Sequence, residues 1–106
     1  MRAIVTARLD TARPALVLTR SAVLGKRRWV TMAPITSTVR GLPSTVPVGP
    51  RNGLDHDSVV QCDSIATIPA DRLRDTIGLL FDDQEAALAR AIADAFDLTL
   101  DPEVWS

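Results

Sequence analysis

The stretch "VTMAPITSTVRGLPSTVPV", residues Val30 to Val48, decides how this chain is read. Two β-rich runs, 29–37 and 44–49, flank "RGLP". Pro34 has no N–H to give to a ladder, so it marks a bulge, an edge or a strand end. The link "TVRGLP" carries turn residues and is short enough for a hairpin-type connection. Three hydroxyl residues, Thr36, Ser37 and Thr38, follow the proline, and Arg40 closes the group. Strand alternation puts Thr36 and Thr38 on one face and turns Ser37 away.

Working outward, residues 15–20, "ALVLTR", form a short continuous apolar run, the pattern of a strand buried on both faces. "PRNGLDHD" is a loop with a strong turn signal at Asn52-Gly53. Residues 58–68, "SVVQCDSIATI", alternate as one strand. Val60, Cys62, Ser64, Ala66 and Ile68 then face the core, and Val59 and Asp63 face away. Residues 69–75 predict a short helical turn with Pro69 near its start, and 76–80, "TIGLL", a last short strand. The one clear helix follows. Asp82 stands at its cap with Glu85 three residues on, the spacing of a capping box. Leu88, Ala91, Ile92, Ala95 and Phe96 form its apolar face. Pro102 stops the pattern, and 99–106 is expected to be a fraying tail. Many short strands and a C-terminal helix fit a small bent sheet or partly closed barrel with the helix outside.

With 106 residues, the chain is expected to be one domain. Such a domain buries roughly 65% of its extended-chain surface, enough for one compact core. A single cysteine, Cys62, excludes an internal disulfide and every cysteine-rich metal site, and one histidine, His56, makes a zinc site improbable. A protein without metal or other cofactor is expected. No apolar run approaches the ~20 residues of a membrane helix, and a cytoplasmic location is expected. The net charge of −1 is unlike that of a general nucleic-acid binder, which is strongly basic. The charge is uneven, however: Arg13, Arg20, Lys26, Arg27, Arg28, Arg40 and Arg51 bias the first half positive. Any nucleic acid would therefore be held in a local groove.

"ARPALVLTR", "APITSTVRGLPSTVPV", "NGL…SVVQCDSIATIP", "IGLL" and a closing helix occur in order from about Arg13 to Phe96. This ordered set resembles the MazF/PemK family of toxin endoribonucleases, in particular the short-N-terminus members of mycobacteria and other actinobacteria. The resemblance implies an SH3-like, partly closed barrel that dimerises. It implies metal-independent, sequence-specific cleavage of single-stranded RNA and a MazE-like antitoxin whose disordered tail occupies the RNA groove. Position by position, it implies Arg13 and Thr36 as catalytic residues. The chain departs from the family at its start: "MRAIVTARLDTA" lacks the usual aromatic strand, and the first loop is minimal. Asp10 is only an approximate counterpart of an acidic residue in that loop.

The chemistry suits these residues. RNA supplies its own nucleophile, the 2′-hydroxyl, so no Ser-His-Asp set is needed. A planar guanidinium holds two phosphate oxygens at once. Arg13 is thus the candidate clamp on the scissile phosphate, and Thr36 the candidate donor to a phosphate oxygen. Ser37, Thr38, Arg40 and Arg28 are candidate RNA contacts. Arginine is a poor base, which leaves Asp10, Asp63 or water to take the 2′-hydroxyl proton. Asp63 is otherwise a candidate to order Arg13 or a loop. His56 is expected to be an exposed loop histidine, Cys62 a core residue, and Trp29 an anchor at the barrel rim or a dimer contact. Two rival readings stay open: a gyrase poison of the same CcdB-like fold, echoed by the terminal "EVWS", and an inactive paralogue that only binds an antitoxin.

Overall fold

The computed structural model describes residues 1–20, 25–26, 28–39 and 41–99. Within them lie the strands β1 (Arg2–Arg8), β2 (Ala12–Val17), β3 (Trp29–Thr36), β4 (Thr45–Val48), β5 (Ser58–Gln61), β6 (Ala66–Pro69) and β7 (Leu73–Leu80), then the helix α1 (Glu85–Ala95). The strands join in one sheet in the order β4-β5-β3-β2-β1-β7, with β6 also paired to β3. The described part of the fold is therefore a curled, mostly β half-barrel closed by a C-terminal helix.

Both faces of the sheet centre are buried, which is why β2 is a continuous apolar run. On one face Ile4, Leu16, Ala33, Ile35, Val60, Cys62 and Leu80 pack with Leu88 and Ala91 of α1. On the other, Val5, Val17 and Val30 form one cluster and Ala7, Ala15, Met32 and Ile68 another, with Leu73 packed against both. The expected strand at 15–20 starts and ends three residues early. Leu18 and Thr19 leave the ladder, although both of their amides still reach the Thr31 carbonyl.

Residues 58–68 are two strands, not one. A 3-10 turn at Cys62–Ser64 separates β5 from β6, and both halves run antiparallel along the same edge of β3. The register moves from Ile35↔Val60 to Met32↔Ala66, so the turn takes up three extra residues. This break undoes the expected alternation. Ser64 and Ala66 are exposed, and Val59 is buried. Cys62 is fully buried as expected, but from a turn. Pro34 faces this gap. Its neighbours Thr31 and Ala33 direct their backbone groups to β2, as the Leu18 N–H to Thr31 O bond shows. The missing proline N–H thus points to the other edge, between the last β6 pair and the first β5 pair.

The link after β3 is not a hairpin. β5 lies between β3 and β4, so those two strands are parallel neighbours-but-one, and the link crosses to the sheet edge. Its turn is closed by Thr45, whose amide and hydroxyl both donate to the Leu42 carbonyl, at 3.1 and 2.6 Å. The N-terminal residues 2–8, which carry no aromatic signature, form a central strand between β2 and β7. The helical turn expected at 69–75 is confined to Ala70–Arg72, and β7 begins at Leu73 rather than Thr76.

The helix start also differs from expectation. Phe81 is the capping position of a 3-10 turn over Asp82–Gln84, and the Gln84 side chain accepts from the Phe81 amide at 3.0 Å. Asp82 pairs instead with the N-terminal ammonium, and Glu85 with Arg2. At the far end, α1 stops at Ala95, and Asp97 takes a left-handed conformation (φ 55°). Phe96 therefore leaves the helical register and is 52% exposed, outside the apolar face assigned to it. Of the expected tail, only Thr99 lies within the described residues. No described helix is long and apolar enough to cross a membrane.

Candidate active site

The β2–β3 ladder pairs Val17↔Met32, Leu16↔Ala33 and Ala15↔Pro34. That pairing ends at Ala15↔Pro34, two residues short of Arg13 on β2 and of Thr36 on β3; by strand alternation both belong to the face of that last pair. Beyond Pro34, β3 takes β5 as a partner, with Thr36 opposite Val59. Thr36 thus stands where β3 passes from one set of neighbours to another.

Both side chains keep hydrogen-bonding capacity. Arg13 is exposed and donates its Nε proton to Thr11 Oγ1 at 3.2 Å, with no partner for its two terminal nitrogens among the described residues. Those nitrogens form the fork that grips a phosphate. The half-buried Thr36 accepts from the Thr38 amide at 3.2 Å, which fixes Oγ1 and leaves its own proton to donate.

A cleft of about 420 Å³ opens beside this strand end. Thr36 and Ser37 line it from β3 and the residue after it, Pro14 from β2, Ile77 from β7, Gly53 to His56 from the loop before β5, and Ser58 from the start of β5. Its walls mix apolar Ile35, Leu54 and Ile77 with polar Ser37, Asp55 and His56. Arg13 does not line the cleft; its neighbour Pro14 does.

The other candidates are placed less centrally. Thr38 is exposed one step beyond Ser37. Arg40 lies outside the described residues. Arg28 precedes β3 at its opposite end, roughly 25 Å from Thr36 at ~3.3 Å per residue. Asp10 lies in the β1–β2 turn and lines a separate cleft of about 340 Å³ with Arg8, Thr11, Arg74 and Asp75. Asp63 is exposed in the turn between β5 and β6, and its one hydrogen bond among the described residues is a long one, 3.5 Å, from Ser64 Oγ. Neither Asp10 nor Asp63 bonds to Arg13 or Thr36 among the described residues, so the expectation that Asp63 orders Arg13 is not met. Trp29 is 59% exposed at the start of β3.

His56 is an exposed loop histidine, as expected, but nothing in the sequence indicates that it and Asp55 line the cleft. Both line the cleft because β5 pairs with Thr36, which carries the preceding loop to the strand end. The Asn52-Gly53 turn located the loop, but only the β3–β5 pairing says what it faces.

A bulge in β7 shapes the same end. The β1–β7 register shifts between Ile4↔Gly78 and Val5↔Thr76, leaving Ile77 as an extra residue turned into the cleft.

Residues 3–96 match the family model described as "PemK-like, MazF-like toxin of type II toxin-antitoxin system". The chain belongs to the MazF/PemK toxin family. Among its MazF relatives, Endoribonuclease MazF3 of Mycobacterium tuberculosis is 55% identical over 98 residues, covering 92% of this chain and 95% of that protein. The solved Mycobacterium tuberculosis toxin MazF-mt6 is 54% identical, with a TM-score of 0.90 over 92% of this chain and 99% of the other. An endoribonuclease solved in complex with its cognate antitoxin, from a mycobacterial species, is 26% identical with a TM-score of 0.82, covering 93% and 95%. The MazF-like fold thus extends over the whole described sheet and helix.

Proposed function

We propose that this chain is a toxin endoribonuclease that cleaves single-stranded RNA at the end of β3, without a metal. What supports this reading is the end of β3, where Thr36 and Ser37 open on a cleft, in a chain 55% identical to an endoribonuclease.

In this mechanism the 2′-oxygen of one nucleotide attacks the adjacent phosphorus. The new P–O2′ bond forms, the P–O5′ bond breaks, the 2′-hydroxyl proton is lost and the 5′-oxygen gains one. The products are a 2′,3′-cyclic phosphate and a 5′-hydroxyl. Negative charge builds on the non-bridging oxygens at the transition state. The free fork of Arg13 holds two of them, and Thr36 donates to one, both pre-set by their own hydrogen bonds. Such a site needs no protein nucleophile, because the substrate supplies its own. The cleft has room for an unstacked base, and base-edge contacts there would give sequence preference.

The partners follow the same reading. A cognate MazE-like antitoxin covers the RNA groove, and the toxin works in the cytoplasm as a homodimer. The edge strand β7, with Leu79 exposed, supports pairing with a second protein surface. The gyrase-poison alternative rests on the terminal "EVWS", which lies outside the described residues.

The test is cleavage of a long mixed-sequence RNA by the purified protein in EDTA. Discrete fragments with 5′-hydroxyl ends are expected, and Arg13→Ala should lower the rate at least ~100-fold, the loss typical of a transition-state charge contact. Near-normal cleavage by Arg13→Ala would remove the phosphate clamp from the mechanism.

A further inference from the structure

Asn52 is 1% exposed, the most buried polar side chain among the described residues. Its Oδ1 accepts from the Gly49 amide at 3.1 Å and from Gln84 Nε2 at 3.3 Å. Its Nδ2 donates to the Leu79 carbonyl at 2.9 Å and to Gln84 Oε1 at 2.8 Å. Gln84 in turn accepts from the Phe81 amide. Every polar atom of the two amide groups but one Gln84 N–H is named in this clasp, and it ties the turn before the cleft loop to the end of β7 and the start of the helix.

The backbone beneath the clasp is equally constrained. Gly53 takes a left-handed conformation (φ 92°), and its Cα lies against β7 at Gly78. A Cβ at Gly78 would run into the Asn52 carbonyl. The loop carrying Asp55 and His56 into the cleft therefore springs from a point fixed on β7, next to the bulged Ile77. Nothing in the cleavage chemistry uses Asn52 or Gln84.

We propose that the Asn52–Gln84 clasp positions the Asp55–His56 segment against the RNA base held in the cleft, and so sets substrate recognition from outside the site. Asn52 and Gln84 are positioning residues; Asp55 and His56 are the groups that touch RNA. The inference rests on the RNA-cleaving reading above. If the loop were mispositioned by about 1 Å, the loss in rate could reach 100-fold. Because Arg13 and Thr36 sit on other strands, the loss should fall on KM rather than on kcat.

The test uses Gln84→Leu, which keeps the side-chain bulk and removes the amide, with Gln84→Glu as the conservative variant. The carboxylate of Gln84→Glu still accepts from Asn52 Nδ2 and the Phe81 amide. Steady-state cleavage of a short cognate RNA is measured at a temperature where circular dichroism shows every variant folded. Gln84→Leu should raise KM roughly ten-fold with kcat within three-fold, and Gln84→Glu should restore most of it. In an Asp55→Ala/His56→Ala background, the same Gln84→Leu change should have less than a two-fold effect, because the groups it positions are gone. An equal effect in both backgrounds, or a fall in kcat alone, would overturn the proposal. So would normal KM in the Asp55→Ala/His56→Ala protein. In each case Arg13-dependent cleavage by the parent protein would leave the endoribonuclease reading standing, and its absence would remove both.

Discussion

Cys62 gives the fold a testable limit at alkaline pH. Its side chain is fully buried in the main core, between Val60, Ala33 and the helix, at the turn that breaks the β5–β6 edge. Burial pushes its thiol up from 9.0 to about 11, with the neighbouring Asp63 charge acting in the same direction. The unfolded chain therefore loses this proton near pH 9, while the native protein keeps it to about pH 11. A raised native value means that the stabilisation is fully present below pH 9 and is lost as pH rises through this window. At 1.36 kcal/mol per pKa unit, the loss totals about 2–3 kcal/mol. Urea unfolding followed by circular dichroism at pH 8, 9, 10 and 11 measures it. Other groups, the N-terminal ammonium among them, titrate in this range too, so the decisive quantity is the difference from Cys62→Ala. That variant should be less stable at pH 8, by about 1–3 kcal/mol for the deleted core atoms, yet its pH curve should be flatter by the thiol's share. Parallel curves for the two proteins would refute the reasoning and place the thiol in contact with water.

Two further outcomes follow from single contacts. Thr36→Val keeps the shape of the side chain and removes its hydroxyl, so kcat should fall by roughly 100-fold with the fold intact, while Thr36→Ser should stay within about ten-fold; initial rates on one RNA decide it. Arg2 donates its Nε proton to both oxygens of Glu85 at 3.0 Å and its NH1 to the Leu18 carbonyl at 2.9 Å, and so ties β1 to the helix and to the end of β2. Arg2→Ala should cost about 1–2 kcal/mol in urea unfolding, since the pair is partly shielded.

The sequence carried the core further than the strand order. β2 was legible because both faces of the sheet centre are buried, which leaves a continuous apolar run. The roles proposed for Arg13 and Thr36 rest on resemblance; composition and spacing alone assign neither. The break at Cys62–Ser64 was hidden because a three-residue turn with polar exits mimics strand alternation for two or three steps. β1 was hidden because its buried residues, Ile4 and Val5 among small alanines, match neither a strict alternation nor a long apolar run. The helix cap was misassigned because Asp82 and Glu85 have the right spacing, yet each has a stronger partner on the N-terminal strand. His56 was discounted because its place depends on β5 inserting between β3 and β4, a long-range pairing that no local window contains.

That insertion also explains why the site lies where it does. Among the described residues, β3 has neighbours on both edges, and neither edge is uniform along its length. β6 gives way to β5 on one edge, and on the other the β2 pairing ends at Ala15↔Pro34. A proline is tolerated there because its missing donor faces the gap between β6 and β5. Past that gap the strand end is freed from β2 while still held by β5, and the opening becomes the cleft. A reaction whose substrate brings its own nucleophile asks of the protein a rigid cation, a rigid donor and a wall for the base. In the proposed reading, β2 and β3 supply the first two. The wall is a loop, and loops are the mobile part of most folds; here the loop is fastened by a fully buried asparagine to β7, which also lines the cleft.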